Sequence, residues 1–373
     1  MDKAFSKKPK LVVGMSGGVD SSVAAVLLKE QGYAVIGVHM KYWSEKDEFD
    51  ICENGIVNND PSRANACCSL DSLEDARRVC AKLDIPLYVV DFKDEFKKRI
   101  VDVFLEELNA GFTPNTCVVC NRDVKFGLLL DYALSIGADG VGTGHYASVF
   151  YDETTSRYGL KKAIDERKDQ SYFLSLLSQD QLSKIHLPLG EMTKDEVRAI
   201  AEKNGLVNSR RRDSQDLCFV AADYKSFVKK YTTMKPGDIT LRSGEKIGTH
   251  EGLHLYTTGQ RKGVATKINE PLYVYFKDFE TNKLVVDYSP PSSANEILLR
   301  DFNWVSSSNF AKNNSWDFVG RYQGVRNPIK DFNQEKHELR IEFSESKGSF
   351  ASGQYGVIYS GDVLIGAGKI VNI

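Results

Sequence analysis

The sequence predicts an α/β protein: a doubly wound parallel sheet over residues 1-207, then a small central domain over 208-283 and a C-terminal antiparallel β-barrel over 284-373. Three observations predict it. Short apolar runs alternate with amphipathic helical stretches in the first half, the pattern of a parallel sheet covered on both faces. From about Asn208 helical periodicity largely stops and glycines punctuate the chain between Pro236 and Gly263. Beyond Leu284, runs such as Glu338-Leu339-Arg340-Ile341-Glu342-Phe343 and Gly356-Val357-Ile358-Tyr359 alternate apolar and polar residues or stay short and apolar, as barrel strands do. At 373 residues the chain exceeds what one hydrophobic core comfortably serves, so division into domains is expected.

The elements follow in order. Lys10 to Met15 reads as a buried strand, passes into Ser16-Gly17-Gly18-Val19-Asp20-Ser21-Ser22, and continues as the helix-like Val23 to Leu28. Ala34 to Met40 is a second buried strand, followed by a polar, cysteine-bearing stretch from Lys41 to Asp71. Helical spacing returns from Leu73 to Leu83, a third strand runs from Ile85 to Val90, and a further helix spans about Asp94 to Leu108. Past an irregular segment from Asn109 to Asn121, a helix near Phe126 to Ser135 leads to a strand at Gly140 to Thr143. Ligands of such sheets sit beyond the C-terminal strand ends, which places the Gly14 to Ser22 loop, Met40 and Gly144-His145 in one crevice.

The first loop carries the most chemistry. A strand, a glycine-serine turn and a helix N-terminus in succession make a phosphate cradle: glycines let the backbone approach an anion, and first-turn N–H groups lack helical partners. Ser16, Ser21 and Ser22 add hydroxyl donors. The Gly-Lys-Ser/Thr ending of the Walker loop is missing, so the loop does not read as a γ-phosphate-transferring site. The plainer alternative is a helix capped by Asp20 or Ser21. The loop resembles that of pyrophosphatase-like adenylating enzymes, which cleave ATP between the α and β phosphates.

Charge and composition exclude several classes. With 49 Lys+Arg against 51 Asp+Glu the formal net charge is -2, so any polyanion must meet a local patch. No apolar run approaches the ~20 residues of a membrane span, and Met1-Asp2-Lys3 does not lead into a signal-peptide core. A soluble, cytoplasmic protein is expected. Seven cysteines, an odd number without an export signal, argue for thiols reduced at rest.

Cys117-Val118-Val119-Cys120 is a CxxC within the irregular segment. Half of a zinc site, a redox pair, or a nucleophile with a bystander all fit it. No second CxxC follows at finger spacing, and Cys52, Cys67 and Cys68 are irregularly placed, so no metal site is assigned. His250 and His254 lie four apart in a stretch that does not look helical and read as ordinary polar surface. Cys218, between Leu217 and Phe219, reads on composition as a buried apolar residue.

Several separate segments together resemble one family. The Ser16 to Ser22 loop, Thr113 to Asn121, Gly142-Thr143-Gly144-His145-Tyr146, Lys168-Asp169-Gln170-Ser171-Tyr172-Phe173, Asp213 to Val220 and Tyr256 to Gly263 occur in the order found in tRNA-specific 2-thiouridylases. The resemblance spans nearly the whole chain. It implies an enzyme in which ATP, with Mg2+, adenylates the C2 oxygen of a wobble uridine, pyrophosphate leaves, and sulfur then replaces the activated oxygen with release of AMP. It also implies the fold: an adenylating domain, a small central domain and a β-barrel.

Residue by residue, the resemblance places ATP contacts at Gly14, Met15, Ser16, Gly17, Gly18, Val19, Asp20, Ser21, Met40 and Gly144. Cys218 corresponds to the cysteine that receives sulfane sulfur as a persulfide from a sulfur carrier or cysteine desulfurase, and Cys120 to its partner nucleophile. A transient Cys120–Cys218 disulfide is implied with them. Asn115, Thr116 and Cys117 correspond to residues meeting the flipped base; Lys168, Asp169, Gln170, His145, Arg321, Tyr322 and Gln354 correspond to other tRNA contacts. The implied substrates are tRNAs with a wobble uridine, the Lys, Glu and Gln acceptors. At Cys117 some relatives carry Asp with an acid/base role, which a cysteine puts in doubt.

Residues 291 to 373 hold nine Lys+Arg and nine Asp+Glu, so the barrel is expected to grip RNA through placed side chains rather than bulk charge. Arg210-Arg211-Arg212 is the densest cationic run, either a phosphate contact or a solvated cluster. The alternative to a thiouridylase is an adenylating synthetase of the same loop class acting on a small molecule, which would not need the two cysteines.

Overall fold

A computed structural model describes residues 8–45, 70–209, 217–220, 223–264, 270–291, 294–308, 315–345 and 347–371. Cys52, Cys67, Cys68, Arg210-Arg211-Arg212 and Asp213 to Asp216 lie outside the described residues.

Strand β1 (Lys10–Gly14) carries Leu11, Val12 and Val13 with no exposure, because a central parallel strand is covered on both faces. It leads through the glycine-serine loop into α1 (Val19–Glu30) and then β2 (Ala34–Lys41). α2 (Leu70–Lys82) and β3 (Leu87–Asp91) follow. A helix α3 then spans 93–109 in three pieces, its middle turn Lys97–Asp102 wound as a π-helix. Helix α4 spans 116–135 and includes a second π segment, Asn121–Leu128. It is followed by β4 (Gly140–Gly142), the hairpin β5 (Ala147–Asp152) and β6 (Arg157–Lys162), β7 (Ile185–His186) and α5 (Lys194–Lys203).

The first sheet has the order β3-β2-β1-β4-β7 with every described pairing parallel. The chain moves outward to β3 on one side and returns to β4 on the other, so the topological switch lies beside β1, where the loop emerges. This is the doubly wound sheet expected.

The central region holds α6 (Tyr224–Tyr231) and four strands, β8 (Gly237–Leu241), β9 (Lys246–His250), β10 (Tyr273–Asp278) and β11 (Lys283–Asp287), ordered β10-β11-β8-β9. Here β8 and β11 pair in parallel while their outer neighbours are antiparallel. The C-terminal strands β12 (Glu296–Trp304), β13 (Asp317–Val319), β14 (Asn327–Glu335), β15 (Glu338–Phe343), β16 (Tyr355–Ser360) and β17 (Val363–Val371) form the antiparallel barrel, closed by β12 pairing with both β15 and β17.

Two features depart from the sequence reading. The CxxC is helical, forming the first turn of α4, rather than part of an irregular segment. And the β5–β6 hairpin joins the barrel sheet through β6 and β17, with Leu160 opposite Leu364. One core therefore runs from Val12 and Val38 of the first sheet through Phe126 and Leu160 to Val357 and Leu364 of the barrel. Among the described residues no helix is long and apolar enough to cross a membrane.

Candidate active site

The loop after β1 is built to leave a helix end open. Gly18 occupies the N-cap of α1 in extended conformation and no side chain caps the helix, so neither Asp20 nor Ser21 plays that part. Gly17 sits at φ +75°, and a Cβ there would lie 2.3 Å from the Ser72 carbonyl oxygen, so only glycine fits. The hydroxyls are pre-set: Ser21 Oγ and Ser22 Oγ donate to the Gly18 carbonyl at 3.1 and 2.9 Å, and Ser16 Oγ lies 3.1 Å from Ser21 Oγ. Buried Asn208, 3% exposed, donates from Nδ2 to the Gly17 carbonyl at 2.8 Å and to Ser22 Oγ at 2.9 Å.

Asp20 is the charged member of the loop. Lys194 Nζ lies 2.8 Å from each of its carboxylate oxygens, and Tyr146 donates its hydroxyl to Oδ1 at 2.8 Å. Lys194 is 6% exposed and opens α5, whose Thr193 N-cap forms a capping box with Glu196. Gly144 packs so closely that a Cβ would lie 2.5 Å from the Asp20 carbonyl carbon. Met15 hydrogen-bonds Val38 through its backbone N–H and its carbonyl meets His39 Nδ1 at 2.8 Å. Met40 Cε lies 3.5 Å from where a Cβ on Gly14 would sit. Met40 thus packs at the strand end that leads into the loop, and Gly144 packs against the loop itself.

Met40 also packs against a second cluster, which holds Cys120 and Cys218 together with Tyr42, Trp43, Phe96, Phe104 and Phe219. Cys120 is 8% exposed and Cys218 half-buried, and both are thiols, as are Cys80 and exposed Cys117. Phe219 fixes the backbone beside Cys218: its ring meets Phe104 at 5.6 Å and Phe227 at 5.4 Å, and its carbonyl accepts from Glu45 N–H at 3.2 Å. Two cysteines 98 positions apart by their numbers, 120 and 218, therefore share one apolar environment. Helix α4 delivers Cys120 and Val124 to this cluster while Val118 and Phe126 face the main core.

The turn before α4 is tied to the barrel. Asn115 Nδ2 donates to Gln354 Oε1 at 3.2 Å, Gln354 Nε2 donates to the Thr113 carbonyl at 2.9 Å, and Thr113 N–H donates to the Ser352 carbonyl at 2.8 Å. Thr116 is buried at the helix start. Tyr322 of the barrel lies 4.5 Å ring to ring from Phe173, and exposed Arg321 stands beside it. His145, half-buried, meets Thr143 Oγ1 at 2.7 Å and Phe126 at 5.5 Å; burial, aided by the Lys125 charge, pushes its pKa well down, so the ring is neutral.

The Lys168-Asp169-Gln170 stretch is mostly turned inward. Asp169 is buried and accepts from the N–H groups of Ala163 and Ser171 and from the Ser171 hydroxyl. Gln170 Oε1 accepts from the Tyr146 N–H at 3.0 Å. Lys168, half-buried, lines a cleft with Lys194. Of the two histidines read as polar surface, His250 is instead buried, and His254 is half-buried with its Nδ1 3.0 Å from the Leu108 carbonyl oxygen.

Lys194, Asn208 and Asp165 escape sequence reading. They lie in segments without glycine-rich or cysteine signals; Lys194 and Asn208 reach the loop only through the fold, and Asp165 accepts from the Lys194 N–H. A Thr-x-x-Glu capping box ahead of α5 was the one local sign, and it marks a helix rather than a site. Among the described residues no three His, Cys, Asp or Glu side chains cluster to hold a metal ion.

Three domain families match the chain: a tRNA methyl transferase HUP domain over 9–222, a tRNA methyl transferase PRC-barrel domain over 225–287 and an aminomethyltransferase beta-barrel domain over 294–370. Curated relatives match nearly end to end. The tRNA-specific 2-thiouridylase MnmA of Clostridium botulinum is 40% identical over 97% of this chain and 98% of that protein, and that of Lachnoclostridium phytofermentans is 42% identical over 97% and 99%. Among solved structures, a 4-thiouridine synthetase–RNA complex with bound ATP has a TM-score of 0.34 at 16% identity, covering 60% of this chain and 49% of that one, too slight a likeness to bear on function. With such identity sustained across all three domains, the chain belongs to the tRNA-specific 2-thiouridylase family.

Proposed function

We propose that this chain activates the C2 oxygen of a wobble uridine with ATP and replaces it with sulfur carried on Cys218, with Cys120 as the second thiol. The observation that carries the reading is the adjacency of two chemistries. Met40 packs at the mouth of the glycine-serine loop and against the cluster holding Cys120 and Cys218.

An amide-like carbonyl oxygen is a poor leaving group. Attack of the uridine O2 on the α-phosphorus of ATP expels pyrophosphate and converts that oxygen into part of AMP. Loop N–H groups at the uncapped start of α1 face the developing phosphate charge, a helix-end contribution of about 0.3–2 kcal/mol. Magnesium would enter with the nucleotide and offset the charge of its phosphates. The uridine is splayed from the anticodon loop to be reached, at a cost of a few kcal/mol. Asn115, Thr116 and Cys117 at the start of α4 would receive that base, with Gln354 hydrogen-bonded to Asn115, and His145, Lys168, Arg321 and Tyr322 would meet other parts of the tRNA.

The terminal sulfur of a Cys218 persulfide then adds at C2, and AMP departs with the original oxygen. Cys120 thiolate attacks Cys218 Sγ, the bond between the two sulfurs of the former persulfide breaks toward the base, and 2-thiouridine leaves. The product disulfide between Cys120 and Cys218 is reduced by an external thiol. Such a bond requires the two Cα atoms to come within about 7 Å of each other. A sulfur carrier or a cysteine desulfurase supplies the sulfane sulfur, and the Lys, Glu and Gln acceptors are the proposed tRNAs.

The test combines the protein, Mg-ATP, a cysteine desulfurase with cysteine and unmodified tRNA, followed by nucleoside mass analysis. AMP and 2-thiouridine in equal amounts are expected, with Cys120→Ser and Cys218→Ser abolishing the thiolated nucleoside. AMP without 2-thiouridine, or a methylated uridine in its place, would defeat the reading.

A further inference from the structure

Beside the loop, a cleft of about 360 Å³ is lined by Asp165, Arg167, Lys168, Lys194, Asp195 and Arg198. Its walls are one loop and one helix, held together by a single buried carboxylate. Asp165, 7% exposed, accepts from the Arg167 N–H through Oδ1 at 3.2 Å and from the Lys194 N–H through Oδ2 at 3.0 Å. The Lys168 N–H donates to the Asp165 carbonyl at 2.9 Å, and Gln323 of the barrel holds the Arg167 carbonyl at 3.2 Å. Four cationic side chains are thereby brought around one open space while the Asp165 carboxylate is largely occupied by backbone donors. Asp195 is the remaining acid on the rim.

We propose that this cleft is a phosphate site, taking the pyrophosphate released at the loop or a backbone phosphate of the bound RNA. The proposal rests on the thiouridylase reading for its two sources but not for its chemistry. Lys194 is the shared wall: it lines the cleft while its Nζ holds Asp20. A phosphate entering the cleft offers that ammonium a second anionic partner, so loop and cleft communicate through one side chain. Arg167 and Arg198 supply planar donors suited to phosphate oxygens, and Arg167 has its side chain 88% exposed, poised to fold over a ligand.

The test uses the full chain with Arg167→Gln, Arg198→Gln and the double variant, whose exposed positions leave folding intact by circular dichroism. Titration with inorganic pyrophosphate and magnesium is followed calorimetrically, and tRNA affinity is measured across salt concentrations. A loss of about ten-fold or more in pyrophosphate affinity identifies the leaving group as the occupant. A shallower slope of log affinity against log salt, by about one per arginine removed, identifies an RNA phosphate. If pyrophosphate affinity and salt slope both stay at wild-type values in the double variant, the proposal is overturned. Neither arm reads thiolation, so a protein that fails to make 2-thiouridine leaves this test standing on its own.

Discussion

Lys194 Nζ lies 2.8 Å from both carboxylate oxygens of Asp20, although 174 residues separate the two. The lysine side chain is 7% exposed and the aspartate 30%, so the pair is largely desolvated on one side only. Lys194→Met leaves Asp20 with the Tyr146 hydroxyl alone, and unfolding free energy is expected to fall by about 2 kcal/mol, below the range for a fully buried pair. Urea denaturation of Lys194→Met, Asp20→Asn and the double variant checks this. The double variant should lose less than the two singles added together.

The glycines of the loop are not equivalent. Gly17→Ala puts a methyl against the Ser72 carbonyl at a positive φ, whereas Gly18 has φ -82° and its nearest neighbour would be Ser16 Oγ at 3.4 Å. AMP formation should fall by about 10- to 100-fold in Gly17→Ala and by less than ~5-fold in Gly18→Ala, since strain of about 1–3 kcal/mol at the first must be met by moving the loop. Equal losses in a pyrophosphate-release assay would contradict this assignment.

The loop was legible because strand, turn and helix start are adjacent in the chain and each has its own residue signature. The same holds for Glu338 to Phe343, a strand whose alternation matches the observed β15. The CxxC escaped as a helix because Pro114 and β-branched Val118 and Val119 favour extended chain, and packing of Val118 into the core overrides that preference. Lys194, Asp165 and Asn208 were invisible because their roles arise from contacts with segments far away in the sequence. The β5–β6 hairpin likewise shows local pairing in its sequence but not its docking to β17.

Gln354 ties the barrel to the start of α4 through two hydrogen bonds. Gln354→Ala removes both and should destabilise the protein by about 1–2 kcal/mol. Because Asn115 then loses its orientation, the KM for tRNA should rise several-fold with ATP affinity unchanged. Steady-state kinetics with each substrate varied in turn provides the check; a change confined to the ATP KM would refute the placement.

Acid should weaken the fold. His39, His145, His186, His250 and His254 all have pKa values pushed down, burial being the leading cause in each. Below about pH 6.5 the unfolded chain binds protons that these folded rings refuse, so the stability they contribute is complete above that pH and is lost as pH falls toward their folded values. The midpoint of thermal unfolding should therefore drop between pH 7 and 5. A His145→Asn variant should show a smaller drop, because one of these rings no longer opposes protonation.

Thiol reactivity should follow burial. Cys117 is exposed, while burial pushes the Cys80 thiol up to about 11. Brief alkylation near neutral pH should label Cys117 before Cys120 and leave Cys80 unmodified, as read by peptide mass spectrometry.

The most direct measurement is a single turnover with the Cys218 persulfide loaded with radiolabelled sulfur, then mixed with excess Mg-ATP and unmodified tRNA in the absence of reductant. The account predicts labelled 2-thiouridine, AMP in equal amount and a Cys120–Cys218 disulfide peptide. Labelled 2-thiouridine formed with Cys120 still a thiol would contradict it.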